Sequence, residues 1–105
     1  MVIVETHVFT RQVTNLLTDE EYIQLQVALI MRPEAGRMIP GSGGLRKVRW
    51  QGKGHGKRGG MRVIYFWAES RSRILLLFMY AKGEQDDLTP DQLKALRQLV
   101  EAEHL

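Results

Sequence analysis

The chain has 105 residues, 44% hydrophobic and 26% charged, a size and balance that predict one soluble domain over residues 1–105 with a modest core. It has no cysteine, which excludes disulfides and thiolate metal sites. The net charge of +3 is unevenly spread: residues 35–68 hold eight cations and no acid, while residues 1–34 and 69–105 are each net acidic. Such a basic middle predicts a polyanionic partner.

In chain order, Val2 to Val8 is rich in β-branched residues and predicts a first strand. Phe9 to Leu17 predicts a short helix, although Thr10, Val13 and Thr14 are weak helix formers. Thr18-Asp19-Glu20-Glu21 has the spacing of a capping box, and three acids suit the positive end of a helix dipole. A helix then runs to about Arg32, where Pro33 stops it. Tyr22, Leu25 and Leu29, with Ile23, Val27 and Ile30 beside them, predict one wide buried stripe. Glu34 to Gly44 reads as a loop. Leu45–Trp50, Met61–Glu69 and Arg73–Ala81 predict three strands, the first two separated by a glycine-rich basic loop. Thr89-Pro90-Asp91-Gln92 predicts a second capped helix, with Leu93, Leu96, Leu99 and Val100 on its apolar side. The expected order is β-α-α-β-β-β-α, an α+β fold with a small antiparallel-rich sheet. The N-terminus lacks a cationic start, and the longest apolar run is eight residues, so neither a signal peptide nor a membrane helix is expected and the location reads as cytoplasmic.

Side-chain period two carries this further. A hairpin about Arg71 pairs Arg62 with Tyr80, Val63 with Met79, Tyr65 with Leu77 and Trp67 with Leu75. The earlier hairpin pairs Val48 with Val63, Trp50 with Met61 and Arg49 with Arg62. One face then carries Val48, Trp50, Met61, Val63, Tyr65, Leu75, Leu77 and Met79 for helices to cover. The other gathers Lys47, Arg49, Arg62, Tyr80 and Lys82 beside the basic loop, while Ile64, Phe66, Leu76 and Phe78 lie deeper on it and need cover from the last helix or a partner. Clustered cations suit a phosphodiester backbone, and Trp50, His55 and Tyr80 are candidates for stacking on a base. The basic zone has no carboxylate cluster and the three histidines are scattered, so no metal or other cofactor is expected. Asp86, Asp87 and Asp91 read as capping and solvated residues. A metal-free route remains: a ribose 2′-hydroxyl attacks the adjacent phosphate, with Lys82 or Lys57 as base or acid. The structural readings beside these are a half-buried strand tyrosine at Tyr80, core packing at Trp50, and salt bridges from Arg62 or Lys82 to Glu84 or Glu69.

The segments GSGGLRKVRW, GKRGGMRVIYFW and LLFMYAKGEQDDLT resemble the HigB-type toxins of the RelE/ParE toxin–antitoxin superfamily, and the resemblance covers most of the chain. It implies a ribosome-dependent mRNA endonuclease that inhibits translation, paired with a HigA-like helix-turn-helix antitoxin. It implies Arg62, Tyr80, Lys82 and Lys57 as catalytic candidates, and Arg46, Lys47, Arg49, Lys53, His55 and Arg58 as RNA contacts. Residues 86–105 lack the tyrosine that several RelE-like toxins use, which leaves base and acid unassigned. A ParE-like gyrase poison and a non-catalytic RNA- or ribosome-binding module are the alternatives.

Overall fold

The computed structural model describes residues 1–51 and 60–104, with side chains described to residue 102. The elements are β1 (Val2–Glu5), α1 (His7–Leu16), α2 (Asp19–Met31), β2 (Arg37–Met38), β3 (Leu45–Trp50), β4 (Met61–Ala68), β5 (Arg73–Ala81) and α3 (Pro90–His104). The expected order holds, with one addition: Arg37–Met38, inside the stretch read as loop, pairs with Lys47 and Arg46 as a short edge strand. The sheet order is β1-β5-β4-β3-β2, and β1 runs parallel to β5. The sheet is therefore mixed, with antiparallel pairing everywhere else.

Helix starts follow the local chemistry. The Thr6 hydroxyl accepts from the Phe9 amide at 3.0 Å and donates to the Leu77 carbonyl at 2.8 Å, so one side chain caps α1 and ties it to β5. Both capping boxes form. Thr18 and Glu21 exchange bonds at the start of α2, and Thr89 and Gln92 do the same at the start of α3. The wide buried stripe on α2 does not form. Leu25 and Leu29 are buried, but Ile23, Val27 and Ile30 are exposed at 59%, 52% and 40%. The helix lies on the surface of the sheet and turns only one side inward.

The β3–β4 register pairs Val48 with Val63, Arg49 with Arg62 and Trp50 with Met61, as expected. In the β4–β5 hairpin, Arg62–Tyr80 and Val63–Met79 also pair as expected. The register then slips by one between Ile64 and Tyr65: Tyr65 faces Leu76 and Trp67 faces Ile74, not Leu77 and Leu75. The slip reverses parity over half of β5. Ile74 and Leu76 join the core under α1 and α2 with Phe9, Leu25, Leu29, Met61, Val63, Tyr65 and Met79. Leu75 and Leu77 turn to the α3 side with Leu45, Ile64, Tyr80, Leu96 and Val100, and Phe78 packs there too. Consecutive residues Leu77 and Phe78 on one side are the mark of a bulge. The last helix thus covers Ile64, Phe66 and Phe78 as expected, whereas Leu76 goes to the other face.

Side chains close two gaps. Beyond the end of β1, Gln12 Oε1 accepts from the Met79 amide at 2.7 Å, capping the exposed edge of β5. After α2, the Tyr65 hydroxyl donates to the Pro33 carbonyl at 2.6 Å and accepts from the Gly36 amide at 2.8 Å. A Cβ on Gly36 would lie 2.7 Å from the Tyr65 ring, so this close crossing requires glycine.

Candidate functional site

The site follows from alternation along β3 and β4. Lys47 and Arg49 point to the α3 side of the sheet, and Arg62 is paired directly across from Arg49. Like charges in opposed positions destabilise a sheet, so packing alone does not account for this pair. The backbone at the exit of the glycine-rich segment adds the next cation. Gly60 has a φ of +66°, and a Cβ there would stand 3.0 Å from the Trp50 carbonyl. The Gly60 carbonyl accepts from the Lys82 amide at 3.2 Å, which sets Lys82 at the end of the same row.

A cleft of about 600 Å³ opens at this end, lined by Ala35, Arg37, Lys47, Val48, Arg49, Arg62, Lys82 and Asp86. Arg62 is 5% exposed and forms its buried floor, with Nη1 3.4 Å from the Met61 carbonyl. Arg49 and Lys82 are exposed at its rim. Three strands, β2, β3 and β4, and the turn after β5 thus bring five cations together. Such a surface has the charge to neutralise successive phosphates of a single strand.

Carboxylates also reach the cleft. Lys47 Nζ lies 3.3 Å from Asp87 Oδ1, and that oxygen also accepts from the Leu88 amide at 2.8 Å. The amide bond and the Lys47 charge hold the Asp87 carboxyl below the usual carboxylate range. Asp86 lines the cleft itself and makes no hydrogen bond or ion pair among the described residues. Their place in the sequence predicts solvated capping residues for both, whereas the fold brings them to the cleft. The turn over residues 82–87 folds them back toward β3, a return that spacing alone does not reveal.

The other expected site residues separate into three groups. Arg62, Lys47, Arg49 and Lys82 converge as the register argument requires. Arg46 does not join them, because alternation turns it to the other face. Its guanidinium donates to the carbonyls of Glu34 and Gly36, at 3.2 and 2.9 Å, and fastens the segment that Tyr65 also holds. Tyr80 has the expected register but is 2% exposed and packs in the α3 core, and its hydroxyl has no partner among the described residues. Burial, and then the Asp87 charge, push the Tyr80 phenol up, opposed by Arg62. Trp50 packs against the α1–α2 core, so neither aromatic is placed to stack on a base. Lys53, His55, Lys57 and Arg58 lie outside the described residues. Arg37 is a cation of the cleft that the sequence pattern does not reveal, because the proline- and glycine-rich stretch around β2 predicts a loop. Lys82 forms no salt bridge with Glu84 or Glu69.

Comparison with known proteins gives one family and one fold. The family model described as the RelE toxin of the RelE / RelB toxin–antitoxin system matches residues 1–104. Among solved structures, a mutant of the E. coli toxin RelE in the free state is similar in fold, with a TM-score of 0.60 and 12% identity over 93% of this chain and 94% of that one.

Proposed function

The chain belongs to the RelE toxin family of toxin–antitoxin systems, and from that premise we propose that it is a ribosome-dependent mRNA endonuclease of the HigB-type branch. The observation that carries this reading is the cleft in which Arg62, Arg49 and Lys82 meet at one end of the sheet. The sequence segments GSGGLRKVRW and GKRGGMRVIYFW support the HigB-type assignment. Residues 1–105 act as one domain in the cytoplasm, where the ribosome presents the message, and a HigA-like helix-turn-helix antitoxin is the partner.

The reaction we propose uses protein side chains alone. Lys47, Arg49 and Arg37 hold phosphates on either side of the scissile bond. Arg62 donates to the non-bridging oxygens as negative charge builds on them in the transition state. Lys82, set by the Gly60 carbonyl, supplies a proton to the departing 5′-oxygen. Tyr80 supports the floor from behind as a packing residue. Lys53, Lys57 and Arg58 add cationic grip on messenger or ribosomal RNA, and His55 is a further RNA contact.

The test is RNA cleavage assayed with and without translating ribosomes. Cleavage of ribosome-bound mRNA by the wild type, lost in the folded Arg62→Ala/Lys82→Ala double variant, is the expected result. Intact mRNA under inhibited growth overturns the endonuclease reading. Stalled gyrase–DNA complexes would replace it with a gyrase poison.

A further inference from the structure

We infer that Asp86 is the general base of the cleft, taking the 2′-hydroxyl proton of the RNA as the 2′-oxygen attacks phosphorus. This rests on the endonuclease reading above and assigns the one role that reading leaves empty.

A general base needs a free lone pair, and few side chains of the cleft carry one. The charged lining side chains are Arg37, Lys47, Arg49, Arg62, Lys82 and Asp86, and the other two lining residues, Ala35 and Val48, are apolar. Guanidinium and ammonium groups donate hydrogen bonds and accept none. Asp86 is therefore the only lining side chain among the described residues with acceptor oxygens. Neither of the two neighbouring acceptors, Asp87 and Tyr80, competes for this role. The Asp87 carboxylate is engaged by Lys47 and by the Leu88 amide. The Tyr80 phenol is buried in the α3 core, and burial holds its proton on. Asp86 is exposed and has no partner among the described residues. It shares the cleft lining with cations of three strands and a turn: Arg37 on β2, Lys47 and Arg49 on β3, Arg62 on β4, and Lys82 just past β5, with Asp87 as the adjoining like charge in sequence. A carboxylate in such a site repels phosphate oxygens and accepts from a hydroxyl beside them. The ribose 2′-hydroxyl is that donor, and it occurs in RNA and not in DNA.

The step balances within the cleft. The Asp86 carboxylate takes the 2′-hydroxyl proton while the 2′-oxygen bonds to phosphorus. The bond from phosphorus to the 5′-oxygen breaks, and that oxygen takes a proton from the Lys82 ammonium. The products are a 2′,3′-cyclic phosphate and a 5′-hydroxyl. Proton exchange with water then resets both side chains, with no net change.

Single-turnover cleavage of mRNA on programmed ribosomes tests the assignment, using Asp86→Asn and Asp86→Glu beside the wild type. Asp86→Asn should lower the cleavage rate by about 10²- to 10⁴-fold, the usual weight of a general base. It should still bind a ribosome–mRNA complex whose scissile ribose is 2′-deoxy. The increase in wild-type rate with pH on the acid side should disappear, and Asp86→Glu should recover part of the activity. Asp86→Asn cutting at the wild-type rate, with the wild-type pH profile, overturns the role of Asp86 while leaving the endonuclease reading intact. Loss of binding together with cleavage overturns it as well, because a base contributes to the chemical step and not to docking. A wild type that cuts no ribosome-bound mRNA instead overturns the endonuclease reading itself.

Discussion

At the scale of single residues, two tyrosines on the sheet carry opposite lessons about a buried hydroxyl. That of Tyr65 bridges the Pro33 carbonyl and the Gly36 amide. Tyr65→Phe leaves both backbone groups without this partner in a buried place, which should cost about 1–3 kcal/mol in chemical denaturation. That of Tyr80 is buried and has no partner among the described residues. Tyr80→Phe removes a desolvated hydroxyl with nothing to replace, so stability should hold or rise by about 1 kcal/mol. A fall of that size in thermal unfolding would instead reveal a hydrogen bond to that oxygen. Cleavage by Tyr80→Phe should also persist, since Tyr80 stands outside the cleft lining. Sequence alone presents both as strand tyrosines; only the crossing of the chain at Gly36 separates their roles.

At the scale of elements, α2 and β5 show what periodicity can and cannot tell. The spacing of Tyr22, Leu25 and Leu29 identifies the buried side of α2, but it does not tell how far around the helix the cover extends. Leu25→Ala should cost about 2–5 kcal/mol, whereas Ile23→Lys and Val27→Lys should each stay within about 0.5 kcal/mol by urea unfolding. Destabilisation of equal size at Ile23 would restore the wide stripe. In β5, ILLLFMY is apolar throughout, so nothing in it marks the inserted residue at Leu77. The register at the cleft end was legible because charged and apolar residues alternate there, and a slip would have placed Arg49 and Arg62 in the core. The same alternation is missing toward the hairpin turn. Two prolines and several glycines concealed the two residues of β2, and with them Arg37. Asp86 and Asp87 were legible as polar turn residues but not as part of the cleft, because their position depends on the path of the chain after β5.

At the scale of the whole molecule, the three tyrosines act together on pH stability. Each has its phenol raised above the ordinary value of 10.0, chiefly by burial; Tyr22 also donates to the Glu5 carboxylate. Raised values mean that the folded chain retains protons that the unfolded chain releases. The associated stability is complete below about pH 10 and is lost as pH climbs above it. Thermal unfolding followed by circular dichroism should show a falling midpoint above that pH, with phenolate absorbance appearing only as the chain unfolds. Phenolate appearing in the folded protein near pH 10 would contradict this. The bulge has an effect on the same scale. It divides the sheet into two sections, one fixed in phase by Arg49, Arg62 and Tyr80 and the other by the turn at Glu69–Ser72. The slip between them works as an expansion joint. A residue gained or lost in that turn can be absorbed where the phase already changes, so the hairpin tip is free to vary in length while the cationic end keeps its alignment.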